Sequence, residues 1–111
     1  MMAVILQVDF PSNGPFGAEM ATAYRELAAS INQEPGLIWK IWTENSDTQQ
    51  AGGIYLFDTK HHAEQYLQMH TARLQSFGID KIHGKIFDIN TELSVLNQAA
   101  FLAHPAKRKL S

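Results

Sequence analysis

The two tryptophans of the chain, Trp39 and Trp42, stand three residues apart within Gly36 to Glu44. On a helix they would share a face, whereas in a strand, where side chains alternate, they point to opposite sides of a sheet. Glu34-Pro35-Gly36 interrupts any helix arriving from upstream, and Ile38, Trp39, Ile41, Trp42 and Thr43 are strand-favouring types. The stretch reads as a strand, so the sheet it joins must accommodate a large aromatic on each face.

The rest of the chain supplies partners for such a strand. Ala3 to Phe10 alternates, with Val4, Leu6, Val8 and Phe10 on one side and Ile5, Gln7 and Asp9 on the other. Pro15 suits the first turn of a helix, whose apolar stripe is Met20, Ala21, Tyr24, Leu27, Ala28 and Ile31 and whose end is set by Pro35 and Gly36. The polar stretch Asn45 to Gln50 predicts a hairpin into a strand over Ala51 to Asp58, where Gly52-Gly53 suggests a bulge or a close backbone approach. Thr59 is a candidate cap for a second helix with the stripe Ala63, Tyr66, Leu67, His70, Leu74 and Phe77, stopped at Gly78 as a left-handed terminator. Lys81 to Asn90 alternates as a fourth strand, and Thr91 to Gln98 adds a short helix. Residues 1–98 are therefore expected to form one domain, with 99–111 as a solvated tail carrying Lys107-Arg108-Lys109. Strand, helix, strand, strand, helix, strand is the ferredoxin-like α+β order, βαββαβ, with a four-stranded antiparallel sheet covered on one side.

Sorting each strand by parity predicts which side meets the helices. The nearly all-apolar set is Val4, Leu6, Val8, Phe10, Leu37, Trp39, Ile41, Ile54, Leu56, Ile82 and Ile86. The mixed set is Ile5, Gln7, Asp9, Ile38, Lys40, Trp42, Glu44, Tyr55, Phe57, His83, Lys85, Phe87 and Ile89. Two helices cover one face, and so many large apolar groups left bare on the other would exceed what monomers tolerate. A homodimer whose sheets meet face to face, with the polar members converging on a cavity, is the expected solution.

Composition narrows the function. A formal net charge of −2, with 18% charged residues, gives no general attraction to nucleic acid, which requires a basic patch. The apolar run Ala3 to Leu6 is too short to span a membrane or to form a signal-peptide core, so a cytoplasmic location is expected. The absence of cysteine excludes a thiol nucleophile, a disulfide and a thiolate metal site. His61-His62 diverge on a helix and lack a completing ligand set, so no metal is expected, and no hydrolase elbow or dinucleotide fingerprint is present. Asn13-Gly14-Pro15-Phe16-Gly17 lacks the lysine and hydroxyl of a phosphate cradle and reads as a turn. His70 lies within an apolar stripe, as either a hydrogen-bonded cavity wall or a proton-transfer group. Tyr66, His70 and Arg73 fall near one line of that helix, where Arg73 serves either a surface ion pair or an oxyanion.

Asn13-Gly14-Pro15-Phe16-Gly17, Ser30 to Gly36, Trp39 to Glu44, Ala51 to Phe57 and His70-Thr71-Ala72-Arg73-Leu74 closely resemble the YdhR-like monooxygenases, in unbroken order from about Ala3 to Gln98. That family is similar to the antibiotic-biosynthesis monooxygenases, dimeric α+β barrels of ferredoxin-like subunits. The resemblance implies oxygenation of a planar phenolic or quinol-like small molecule by molecular oxygen, without flavin, haem or metal, in a cavity between the sheet and the helices. Such chemistry needs a dry aromatic pocket, a base and a donor for the anion. Trp42, Tyr55, Phe57, Phe87 and Tyr66 are the candidate ring-binding residues, His70 or His83 the candidate base, and Lys40 or Arg73 the candidate anion holder. Two alternatives fit the same composition: a non-catalytic dimer that sequesters an aromatic metabolite in a stress response, and a haem-binding or haem-degrading protein with His70 as axial ligand.

Overall fold

The computed structural model describes residues 3–100, and the basic tail Lys107-Arg108-Lys109 lies outside them. In chain order the elements are β1 (Val4–Pro11), α1 (Gly17–Ala23), α2 (Arg25–Ile31), β2 (Leu37–Asn45), β3 (Gln50–Phe57), α3 (Lys60–Ser76), β4 (His83–Asp88) and α4 (Thr91–Leu96). The strands pair in the order β2-β3-β1-β4, all antiparallel. This is the ferredoxin-like α+β sheet that the order of periodicities predicts.

Local chemistry sets the ends of α3 as expected. Thr59 Oγ1 accepts from the His62 N–H at 3.1 Å, satisfying one orphan donor of the first turn. At the other end Gly78 adopts φ +85°, its N–H bonds to the Gln75 carbonyl, and the Ile79 N–H bonds to the Leu74 carbonyl. That pair of bonds is a Schellman closure, and it turns the chain so that Ile79 packs against the core beside Leu74. The first predicted helix, by contrast, is two. The chain bends at Tyr24 (φ −109°, ψ 15°), although the Tyr24 N–H still reaches the Met20 carbonyl and the Tyr24 carbonyl still accepts from Ala28. Neither Gly nor Pro marks the bend, so residue spacing does not disclose it.

The parity assignment holds for β1 and β4 and is reversed for β2 and β3. Leu6 pairs with Tyr55 on one side and Ile86 on the other, and Val4 pairs with Phe57, so Tyr55 and Phe57 share the helix-facing side. Lys40 pairs with Tyr55 and Trp42 with Gly53, which puts both on that side as well. Trp39 and Ile41 pair with Leu56 and Ile54, themselves opposite Ile5 and Gln7, and these face away from the helices. Alternation fixes the phase within a strand, not between strands, and pairing register supplies the missing information. A register shift between Leu37 and Trp39 adds a second break in phase: Leu37 opposes Phe57 and is buried, yet Trp39, of the same parity, lies on the other face. Of the two readings of Gly52-Gly53, the bulge is absent, the break in register lying in β2, and the close backbone approach is present. The two glycines serve close approach: a Cβ on Gly52 would strike the Val8 carbonyl, and one on Gly53 would stand 2.7 Å from Lys40 Cε.

The core is built from Val4, Leu6, Val8, Leu37, Tyr55 and Phe57 of the sheet against Ile31, Ala63, Tyr66 and Leu74 of the helices. Burying side chains of this size is worth about 1.5–3 kcal/mol each, which ties α3 to the sheet. The opposite face keeps Ile41 53% and Phe87 48% exposed, with Ile5, Trp39 and Ile54 half-buried around fully buried Leu56.

Candidate functional site

Between the helix-facing side of the sheet and α1–α3 lies a cavity of about 660 Å³. Phe10, Lys40, Trp42 and Tyr55 form its sheet wall; Met20, Tyr24, Leu27, His70 and Leu74 form its helical wall; Pro11 to Gly14 and Phe77 to Asp80 surround it in the loops. The bend in the first helical segment matters here, because Tyr24 stacks on Trp42 with ring centroids 6.1 Å apart and planes 21° from parallel. Glu44 secures the neighbouring loop, its Oε1 accepting from the Gly17 N–H at 2.8 Å.

Lys40 carries its amine into this aromatic enclosure, Nζ standing 3.4 Å from the centre of the Trp42 ring and 4.8 Å from that of Tyr55. Its stem runs over Gly53, where any side chain would collide with it. Burial first, and the positive charge of Arg73 second, lower the Lys40 pKa from 10.5 to about 7. The two aromatic faces favour the ammonium and act in the other direction, but each is worth only about 0.5–2 kcal/mol, less than desolvation of a buried amine.

His70 is 4% exposed. Arg73 Nη2 donates to its Nδ1 at 2.9 Å, and because a guanidinium has no acceptor, that nitrogen must be the unprotonated one. The proton of neutral His70 therefore sits on Nε2. Burial, then Arg73, then Lys40 lower the His70 pKa to about 3. Arg73 Nη2 also donates to Tyr66 Oη at 3.4 Å, and Tyr66 Oη donates to Tyr55 Oη at 3.3 Å. Burial raises the pKa of both tyrosines, so they stay protonated links of the chain. Arg73 Nε is buried without a hydrogen-bond partner.

Of the residues singled out from sequence, Lys40, Trp42, Tyr55 and His70 meet on the cavity wall. Arg73 and Tyr66 stand behind them in the hydrogen-bond chain, and Phe57 is fully buried beneath, its ring 6.0 Å from Tyr55 and 5.4 Å from Tyr66. His83 and Phe87 do not join them: they pair with Asp9 and Ile5 on the far face of the sheet, so neither reaches this cavity. Phe10, Met20 and Tyr24 are among the lining residues missed as site members. Met20 and Tyr24 are visible only as stripe positions, and nothing in a stripe tells a packed neighbour from a cavity wall. His62 Nδ1 pairs with Asp58 Oδ1 at 2.7 Å instead of converging with His61, and among the described residues no group of three His, Cys, Asp or Glu is placed to hold a metal. No helix of the described residues is long and apolar enough to cross a membrane.

A family model described as "Putative mono-oxygenase ydhR" matches residues 5–100. Among solved structures, the crystal structure of "a putative antibiotic biosynthesis monooxygenase" from Deinococcus radiodurans is similar with a TM-score of 0.53 at 15% identity, covering 78% of this chain and 92% of that one. At that identity the likeness is one of fold. Among curated proteins none matches.

Proposed function

The chain belongs to the YdhR mono-oxygenase family, and from that premise we propose that it oxygenates a planar phenolic or quinol-like small molecule with molecular oxygen, using no flavin, haem or metal. The observation that carries this is the placement of Lys40, an amine held near pKa 7, on the wall of an aromatic cavity that neutral His70 also lines.

Roles follow from the protons. His70 cannot act as the base on Nε2, which already carries hydrogen, and Nδ1 is occupied by Arg73. It is a donor to an oxyanion. Neutral Lys40 is the base, matched to a phenol at neutral pH. The phenolic proton passes to Lys40 Nζ, and the oxyanion is then held by the new ammonium and by His70 Nε2–H. Trp42 and Tyr24 offer flat faces for the rings. For an anthrol, the electron-rich ring carbon of the anion adds oxygen as the ring oxygen becomes a carbonyl, and the resulting peroxide takes the proton back from Lys40 Nζ to form a hydroperoxide and restore the neutral amine. Loss of water from that carbon breaks the O–O bond and leaves a carbonyl, one oxygen atom entering the product and the other leaving as water.

A homodimer through the outer face of the sheet completes the proposal. Ile41 and Phe87 are about half exposed there, beside Ile5, Trp39 and Ile54, on a surface that the chain's own helices do not cover. Oxygen uptake with a panel of anthrols and hydroquinones tests the activity: stoichiometric consumption that disappears in Lys40→Met supports it, and no turnover with any member of the panel sinks it. Ligand-induced thermal stabilisation without oxygen uptake would instead favour a binding module.

A further inference from the structure

Lys40 on the cavity wall and Arg73 behind His70 place two basic groups on one side of the cavity, and among the described residues neither has a carboxylate partner. The ion pair found among the described residues is His62 with Asp58 at the start of α3, and neither lines the cavity. The groups facing Lys40 are Arg73 and His70 of α3, Tyr55 of β3 and, through Arg73, Tyr66. None is an anion. Asp80, the carboxylate among the lining residues, is exposed in the loop after α3, and Glu44 of β2 is held by the Gly17 N–H. Buried cations are ordinarily paired, so this side of the cavity lacks its counter-charge.

We propose that the ligand supplies it: this side is a proton-coupled anion site for fused-ring phenolates and enolates, in which an acidic hydroxyl binds ionised between Lys40 Nζ and His70 Nε2–H and each bound anion charges Lys40. The inference rests on the cavity assigned above and deepens it, by selecting the anion over the neutral ring. It differs from simple stacking on Trp42 and Tyr24, which would accept a neutral ring equally well. The free amine titrates near 7, so at about pH 8 it is mostly neutral and must draw a proton from solvent when an anion arrives, whereas at about pH 6 it already carries one. His70 does not compete for that proton, because Arg73 occupies Nδ1 and Nε2 already bears hydrogen.

The probe is 2-hydroxy-1,4-naphthoquinone, an anion at neutral pH, against its neutral methyl ether. Both are already oxidised, so the measurement is independent of any turnover. Calorimetry in buffers of different ionisation enthalpy gives affinity and proton uptake together. The expected result is roughly 10–100-fold tighter binding of the anion than of the ether, the range of a charge-assisted contact. Uptake should approach one proton per ligand at about pH 8 and nearly vanish at about pH 6. Lys40→Met should erase both the preference and the uptake. Lys40→Arg, whose charge is fixed, should retain the preference without the uptake, which separates the role of the charge from any damage to the fold. Equal affinity for anion and ether, or tight anion binding to the unaltered protein with no proton uptake at about pH 8, overturns the proposal. Absence of oxygen uptake with anthrols, by contrast, would leave these outcomes as they are and count only against the oxygenase.

Discussion

Arg73 Nη2 donates to His70 Nδ1 at 2.9 Å, and this one contact decides what His70 can do. A histidine so held presents a fixed Nε2–H, and protonating it would place two cations in contact within a buried site. Nitrogen-detected NMR should show the Nε2–H tautomer at neutral pH. Arg73→Met removes both the donor and the charge, so the His70 pKa should rise from about 3 toward its ordinary 6.5. No upward movement would mean that burial alone accounts for the depression.

The same shift sets a stability trend. The folded pKa of His70, about 3, lies below the 6.5 of the unfolded chain. Between those values the unfolded state binds the extra proton, so the contribution of His70 is complete above about 6.5 and declines as pH falls toward 3. At about pH 5 the loss should be about 2 kcal/mol relative to neutrality, from 1.36 kcal/mol per pH unit. Denaturant melts of the unaltered protein and of His70→Phe should therefore diverge below about pH 6, the variant lacking this slope.

Lys40 works in the alkaline half of the scale. Its pKa is lowered from 10.5 to about 7, so the native state releases a proton that the unfolded state keeps, and stability rises with pH from about 7 to 10.5. Replacing the amine by a chain of like size, Lys40→Met, should raise stability at neutral pH by on the order of 1–2 kcal/mol, less than the shift alone implies because the aromatic contacts are lost. In the proposed reaction kcat/KM should climb through about pH 7 and level off, since the base must be neutral. A stabilised but inactive Lys40→Met is the joint expectation, checked by thermal melts beside oxygen uptake.

How far the sequence discloses this arrangement differs by level. Period-2 and period-3.6 patterns, with Thr59 and Gly78 as punctuation, are enough to predict the ferredoxin-like order, because each is a local property of consecutive residues. The side of the sheet on which Lys40, Trp42, Tyr55 and Phe57 lie is not local. It depends on the β2–β3–β1 register and on the shift between Leu37 and Trp39, which is why His83 and Phe87 are grouped with Lys40 by parity yet lie across the sheet from it. Tyr24 remains hidden as a wall residue because the bend that brings it onto Trp42 has no composition signal.

Gly52 and Gly53 should separate structure from activity. Alanine at Gly52 would drive its Cβ into the Val8 carbonyl, backbone that cannot yield without opening the β1–β3 pairing. A loss of roughly 3 kcal/mol or more, or failure to fold, is expected. At Gly53 the nearest atom is Lys40 Cε at 2.7 Å, part of a flexible side chain. Gly53→Ala should fold with a penalty of about 1 kcal/mol while displacing the amine, and the proposed activity should fall by about 10–100-fold. Urea melts and oxygen uptake on the same samples distinguish the two.

Trp39 and Trp42 divide along the same line, Trp39 facing away from the helices and Trp42 facing the cavity. If the outer face is the dimer contact, Trp39→Ala and a charge placed at exposed Ile41, Ile41→Lys, should convert dimer to monomer in sedimentation equilibrium. A buried aromatic at such a contact is worth about 2–4 kcal/mol, or roughly 30–1000-fold in the dissociation constant. Trp42→Ala should leave the association unchanged and instead weaken naphthoquinone binding, by about 10-fold or more for one stacked ring. Trp42 fluorescence should be quenched by ligand in Trp39→Phe, whereas the Trp39 signal in Trp42→Phe should respond to protein concentration. A Trp42→Ala protein that dissociates while keeping its ligand would place the dimer contact on the helix side and overturn this division of the two rings.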